Sequence, residues 1–272
     1  MKKIVGYIAT LFVIGHLLGQ GLEREIVVPL SDPGERGKLD VNQVNGSITV
    51  DGYGGSEVII KAIYKDYKEK DKDKNKRNPP PGMKRIASTP AQIRAREEDN
   101  HVEVETESWK RKMDLEIKVP ENFDLHLHTV HGDILVNNVD GEMEISGVNG
   151  KINIDELQGS AVCNTVNGDV VVRFTDVEER TPMSFVTLNG NVDVTLPSKA
   201  QVLAKMKSDR GEIYSDFDME IVVKDAEVRR GNDCDCEYEV SLNSWTYGEI
   251  NGGNTEFTFK NMNGDILIRK GS

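Results

Sequence analysis

The amino-acid sequence predicts an all-β protein whose main body is a single-stranded β-solenoid, or β-helix, with coils of about 18–22 residues. Three observations predict it. Glycines stand at 132, 141, 150, 159 and 168, nine residues apart each time. An apolar residue lies two positions before each glycine, and apolar residues lie two and four positions after it, which is strand alternation at a fixed period. The template also returns at longer spacing, as Val44-Asn45-Gly46-Ser47-Ile48-Thr49-Val50, Leu188-Asn189-Gly190-Asn191-Val192-Asp193-Val194 and Met262-Asn263-Gly264-Asp265-Ile266-Leu267-Ile268, with a degenerate copy at Gly211.

Residues two apart on a strand share a face. Ile134 and Val136, Met143 and Ile145, Ile152 and Ile154, Ala161 and Cys163, and Val170 and Val172 are therefore expected to fill one interior, with Leu135, Glu144, Asn153, Val162 and Val171 outside. Glycine after Asn, Asp, His or Gln marks a tight bend, because Gly takes positive φ without steric cost. A nine-residue unit of one strand and one bend is too small to bury its own apolar face, whereas stacked units bury it jointly. A solenoid pairs each unit with the one eighteen residues away. Asn-Gly between alternating strands is also a hairpin signal, so an antiparallel meander, with each unit paired to its immediate successor, is the competing arrangement.

In chain order, residues 1–21 have the pattern of a secretory signal peptide: Lys2 and Lys3, the apolar-rich run Ile4 to Leu18, then Gly19-Gln20-Gly21 for cleavage. The run is broken by Gly15 and His16 and is short for the ~20 residues of a membrane span, so no stable span is expected after cleavage. Residues 22–120 are expected to form an N-terminal β region, with strands near 25–29, 44–50, 57–64, 100–108 and 113–119. Within it, residues 65–82 are nearly devoid of apolar side chains and rich in Lys, as in a mobile basic loop. Residues 121–272 carry the repeats. They are interrupted by a polar connection at 176–182 and, at about 216–244, by an inserted strand pair around the Arg229-Arg230-Gly231-Asn232-Asp233 turn. The formal charge is −12, and loss of Lys2 and Lys3 makes it more negative. Such a chain is a poor partner for nucleic acid or an anionic membrane.

The tandem Val-Asn-Gly-Asp-Val-Val-Val units resemble the bacterial β-strand-repeat family of unknown function that bears the name putative adhesin. Met83-Lys84-Arg85-Ile86 ahead of an acidic strand, Met113 to Pro120 leading into the repeats, and Glu249-Ile250-Asn251-Gly252-Gly253 before the closing Asn263-Gly264-Asp265-Ile266-Leu267-Ile268-Arg269-Lys270 add to the likeness. It covers nearly the whole mature chain. It implies a secreted or surface β-solenoid of adhesin type and transfers no catalytic residue, since the shared motifs are turn and core residues. The basic insertion and the Cys234/Cys236 pair depart from the simplest members.

Four groups of residues invite a chemical reading. His126, His128 and His131 share a short segment, and if Leu125 and Leu127 point inward, His126 and His128 share the outer face at metal-binding proximity, with Asp124 and Asp133 nearby. Exposed strand histidines without metal are the simpler expectation. Cys234 and Cys236 fall on one strand face, where a disulfide closing so small a ring is strained; Cys163 takes a core slot as a buried thiol. Gly-Asp at 132–133, 168–169 and 264–265 invites comparison with calcium-binding nonapeptide repeats, but each bend has a single glycine and other copies replace the acid. Glu142 and Glu144 with Asp155 and Glu156 supply carboxylates of the kind glycosidases use, although solvated charge accounts for them as well.

The sequence therefore leads to the expectation of an exported, non-enzymatic β-solenoid, located in the periplasm, at the cell surface or outside the cell. It would act as an adhesin or surface-binding scaffold for a cell-surface glycan or an envelope protein, with no catalytic, cofactor or metal site. A carbohydrate-active β-helix enzyme and a structural envelope protein are the alternatives.

Overall fold

The computed structural model describes residues 22–64, 93–106, 112–178, 180–222, 227–230, 238–241, 245–253 and 255–271. The signal segment 1–21, the basic segment 65–82 and the Cys234/Cys236 pair lie outside the described residues. The described residues contain strands and no helix, and one sheet of 20 strands contains all but a two-stranded pair.

Two parallel ladders make up the body. In the first, Ile48, Ile134, Ile152, Val170, Val192, Ile266 and Ile213 stand opposite one another in turn, each on its own strand. In the second, the column runs Val41, Leu127, Ile145, Cys163, Phe185, Phe259, Met206. With the exception of the half-buried Ile213, these side chains are buried, and both columns join one hydrophobic core. Burial of each aliphatic side chain stabilises by about 1.5–3 kcal/mol, and no single nine-residue unit encloses enough surface to achieve it alone. Val136 pairs with Ile154, eighteen residues on and parallel. Met143 likewise pairs with Ala161, and Leu125 with Met143. The meander is thus excluded for this stretch.

The nine-residue units are of two kinds, which the glycine spacing alone conceals. Gly132 and Gly168 have φ of 149° and 156° and turn one corner. The opposite corner is turned at Asn138 and Glu156, at φ 51° and 53°, three residues ahead of Gly141 and Gly159, of which Gly159 also has positive φ, at 120°. Gly141 lies inside the strand Asp140–Asn149 and is needed for closeness, since a Cβ there would sit 2.3 Å from the Phe123 carbonyl oxygen.

Both ends of the stack are out of chain order. The strands Gly37–Asn45 and Ile48–Tyr53 lie between His101–Thr106 with Met113–Pro120 on one side and Phe123–His131 with Ile134–Asn137 on the other. The closing strands Glu256–Asn261 and Ile266–Lys270 are inserted between Met183–Asn189 with Val192–Leu196 and Val202–Ser208 with Ile213–Ser215. Antiparallel strands finish each end: Leu22–Pro29 on Glu57–Tyr64 on Met113–Pro120 and Ile93–Glu98 on His101–Thr106, then Thr246–Ile250 on Val202–Ser208 with Glu220–Val222 outermost. Within residues 216–244, Glu220–Val222 joins the main sheet on Thr246–Ile250, and Glu227–Arg230 pairs with Tyr238–Ser241 in a separate antiparallel pair.

Candidate functional site

The outer face of the second ladder gathers the polar groups. Because Leu125, Leu127, Met143 and Ile145 point inward, Asp124, His126, His128, Glu142, Glu144 and Ser146 point out. One row across the strands reads Glu103, Asp40, His126, Glu144, Val162, Ser184, Thr258, Lys205. At one end of this face a groove of ≈ 490 Å³ is lined by Lys38, Asp124, His126, Glu142 and Glu144, with Thr181 and Pro182 contributing from the connection between strands.

Asp40 is the hub beside this groove. Its Oδ1 accepts a hydrogen bond from His126 Nδ1 at 2.8 Å, its Oδ2 is bonded by His101 Nε2, and the Lys38 ammonium lies 3.4 Å away. Partial burial opposes ionisation of the carboxyl. The His101 hydrogen bond, the Lys38 charge and the His126 hydrogen bond outweigh it and hold the group below its ordinary range. Asp40 is thus an ionised anchor and not a proton donor. The opposite extreme is Cys163, where complete burial pushes the thiol up to about 12 and leaves an apolar core residue.

The three histidines singled out by the sequence do not act together. His126 engages Asp40, His128 Nδ1 meets Ser146 Oγ at 2.8 Å, and His131 Nδ1 receives Asn149 Nδ2 at 3.1 Å. The structure pairs His126 with His101 through Asp40 instead. Among the described residues, no group of three or more His, Cys, Asp or Glu side chains converges to hold a metal ion. The Gly-Asp acids are occupied by the backbone: Asp133, Asp169 and Asp265 each accept the N–H of a residue in the next coil, Lys151, Asn191 and Glu212, at 3.0, 2.7 and 3.0 Å. Asp124 similarly accepts the Glu142 N–H at 2.8 Å and pairs with Arg36 at 3.1 Å. The four carboxylates considered for acid–base work are split between ladders. Glu142 and Glu144 line the groove, whereas Asp155 is on the other ladder beside Arg173, at 3.4 Å, and Glu156 turns the corner.

Two features escaped the sequence reading. Three residues before Gly132, Gly168, Gly190, Gly264 and Gly211 stands a donor that satisfies the glycine carbonyl of the coil below: Thr129 to Gly46 at 3.2 Å, Thr165 to Gly150 at 3.1 Å, Thr187 to Gly168 at 2.8 Å, Asn261 to Gly190 at 3.3 Å and Ser208 to Gly264 at 3.1 Å. The recurrence of Thr, Ser and Asn at that offset was the available signal. Beside them, Asn149, Asn167, Asn189 and Asn263, each directly before a glycine, form an amide ladder. Asn149 Oδ1 accepts from Asn167, Asn167 from Asn189, and Asn189 from Asn263, at 2.7–2.8 Å. Two before the corner glycines, Val44, Val166, Leu188 and Met262 are exposed, whereas Val139 and Leu157, two before Gly141 and Gly159, are buried in the core.

Two solved structures are similar to this chain. A putative cell adhesion protein from Clostridium sporogenes ATCC 15579 is 15% identical over 92% of this chain and 99% of its own, with a TM-score of 0.46. A putative adhesin from Bacteroides fragilis NCTC 9343 is 12% identical over 91% of this chain and 96% of its own, with a TM-score of 0.43. No curated protein sequence matches it. The Toastrack DUF4097 family model matches residues 18–269, nearly the entire sequence, and the chain therefore belongs to that family.

Proposed function

We propose that this protein is an exported, non-catalytic β-solenoid that serves as a surface-binding scaffold of adhesin type. Its contact face is the outer face of the second ladder, and its partner is a cell-surface glycan or an envelope protein. The observation that supports this is the row from Glu103 to Lys205. Eight strands hold it in register, and at about 4.8 Å per strand it spans roughly 34 Å. An extended polymer matches such a row. Export rests on Lys2, Lys3 and the apolar run after them, and fractionation that leaves the full-length product in the cytoplasm overturns that part.

A glycan array combined with a depolymerase assay tests the scaffold. Retention of a glycan without cleavage is expected. The groove with Glu142 and Glu144 favours one competing reading, a carbohydrate-active enzyme. Turnover of any polysaccharide that disappears in Glu142→Gln or Glu144→Gln replaces the scaffold reading with that one.

A further inference from the structure

At the far end of the same face, three lysines surround one tryptophan. Lys205 Nζ lies 4.9 Å from the Trp245 ring centroid, and Lys207 and Lys260 each lie at 6.0 Å. Strand geometry brings this about. Lys205 and Lys207 alternate with the buried Ala204 and Met206, so both ammonium groups leave on the outer side, and Lys260 is directly opposite Lys207 in the parallel ladder. Like charges directly opposite on a sheet are unfavourable. The indole face offsets part of that cost, as do Glu256, 3.0 Å from Lys205, and Asp209, 3.5 Å from Lys207. Three ammonium groups against two carboxylates leave a local positive excess on a chain whose formal charge is −12. The exposed Lys260 has the indole as its partner.

We propose that this cluster is the anchoring site for an acidic polysaccharide, a reading that rests on the binding scaffold proposed above. The anionic group of one sugar sits among Lys205, Lys207 and Lys260, its hydroxyls donate to Glu256 and Asp209, and the indole offers an apolar surface to the sugar ring. The rest of the chain then continues along the face toward the groove at His126 and Glu144. Nucleic acid fits poorly, because duplex DNA brings a charge every ~1.7 Å and would meet Asp124, Glu142 and Glu144 along the same face. A polysaccharide with about one anion per sugar has a lower line charge than the duplex and meets less of that repulsion.

Full-length protein carrying Trp109→Phe, so that Trp245 alone reports, is titrated with polygalacturonate, dextran sulfate, neutral dextran and a single-stranded oligonucleotide. Polygalacturonate or dextran sulfate is expected to shift the indole emission, more weakly as salt rises, with the tighter of the two identifying carboxylate or sulfate as the recognised anion. Dextran is expected to leave the emission unchanged. Lys260→Gln and Lys207→Gln should each weaken binding about tenfold, the loss of one charge-assisted contact, while Lys260→Arg retains it. Oligonucleotide binding as tight as the polysaccharide's overturns the proposal. So does unchanged affinity in Lys260→Gln, or loss of affinity on replacing Lys68, Lys70, Lys72, Lys74 and Lys76 by Gln. Either of these last two leaves the scaffold reading standing with its site elsewhere. Failure of every glycan in the array removes both.

Discussion

Gly264 stacks directly on Gly190, 74 residues earlier in the chain: a Cβ on Gly264 would lie 2.2 Å from the Gly190 carbonyl oxygen. On its other side, a Cβ on Gly211 would lie 1.8 Å from the Gly264 carbonyl oxygen. The last coil in sequence is therefore the next to last in space. The N-terminal end repeats the device, with Gly46 held between Met113 and Gly132. The outermost parallel layer at each end is thus built from strands that lie elsewhere in the chain order, and antiparallel strands cover it.

Removing residues 245–272 accordingly deletes an interior layer and not a cap. The strands Val202–Ser208 and Ile213–Ser215 lose their parallel neighbours, and Phe185 and Val192 lose theirs. The truncated chain is expected to unfold at a much lower temperature and to bind a hydrophobic dye. A melting temperature within a few degrees of the full chain's would show the layer to be dispensable. Gly264→Ala tests the same contact with one methyl group. At φ 137° it should cost at least the ~1–3 kcal/mol of a residue forced into that region, read as a lower urea midpoint.

Much of this architecture was legible in the sequence because parallel stacking of units eighteen residues apart writes its register into that period. Ile134, Ile152 and Val170 are eighteen residues apart and stack. Chain order was not legible at the ends, since the Gly264 template fits above Gly190 or above Gly211 equally well, and only the antiparallel strands at 220–222 and 246–250 decide between them. The candidate site was half legible. His126 was visible, but His101 and Asp40 are 61 residues apart in separate strands, and nothing local to either announces the other. Trp245 and its lysines were hidden for the same reason, being contributed by three segments.

The donor ladder has one gap. At the Gly150 coil, the slot filled elsewhere by Thr129, Thr165 or Thr187 is Gly147, which has no side chain to offer the Gly132 carbonyl. A Cβ at Gly147 would meet Thr165 Oγ1 at 3.3 Å, a contact relieved by a small shift that keeps the Thr165 bond to Gly150, and no backbone atom closer than 3.9 Å. Gly147→Ser is therefore expected to stabilise by about 1 kcal/mol, from reduced freedom of the unfolded chain and one added hydrogen bond. Urea unfolding measures it, and a lower midpoint would mean that Thr165 cannot yield.

Glu156 occupies the left-handed region at φ 53°, at the corner where the coil below uses Asn138. An ordinary L-residue pays roughly 1–2 kcal/mol there, and Asn less. Its side chain is exposed. Glu156→Asn should raise the urea midpoint by an amount corresponding to about 0.5–1 kcal/mol, and Asn138→Glu should lower it similarly. Equal stabilities for all three proteins would show that the corner tolerates any residue.

The Asp40 carboxyl couples the candidate site to pH. Its proton affinity is lowered in the folded protein by His101, Lys38 and His126 acting against partial burial, so folding binds fewer protons at this group than the unfolded chain does. The sign follows from linkage. The stabilisation is complete above the unfolded carboxyl's value of about 3.9 and is withdrawn as pH falls through the lower folded value. In Asp40→Asn the group cannot ionise, so the difference in urea midpoint between wild type and variant should be largest at neutral pH and shrink steadily on acidification below about pH 4. A difference that stays constant from pH 7 to pH 3 would mean that Asp40 contributes by packing and hydrogen bonding alone, and that the His101–Asp40–His126 arrangement draws nothing from the carboxylate's charge.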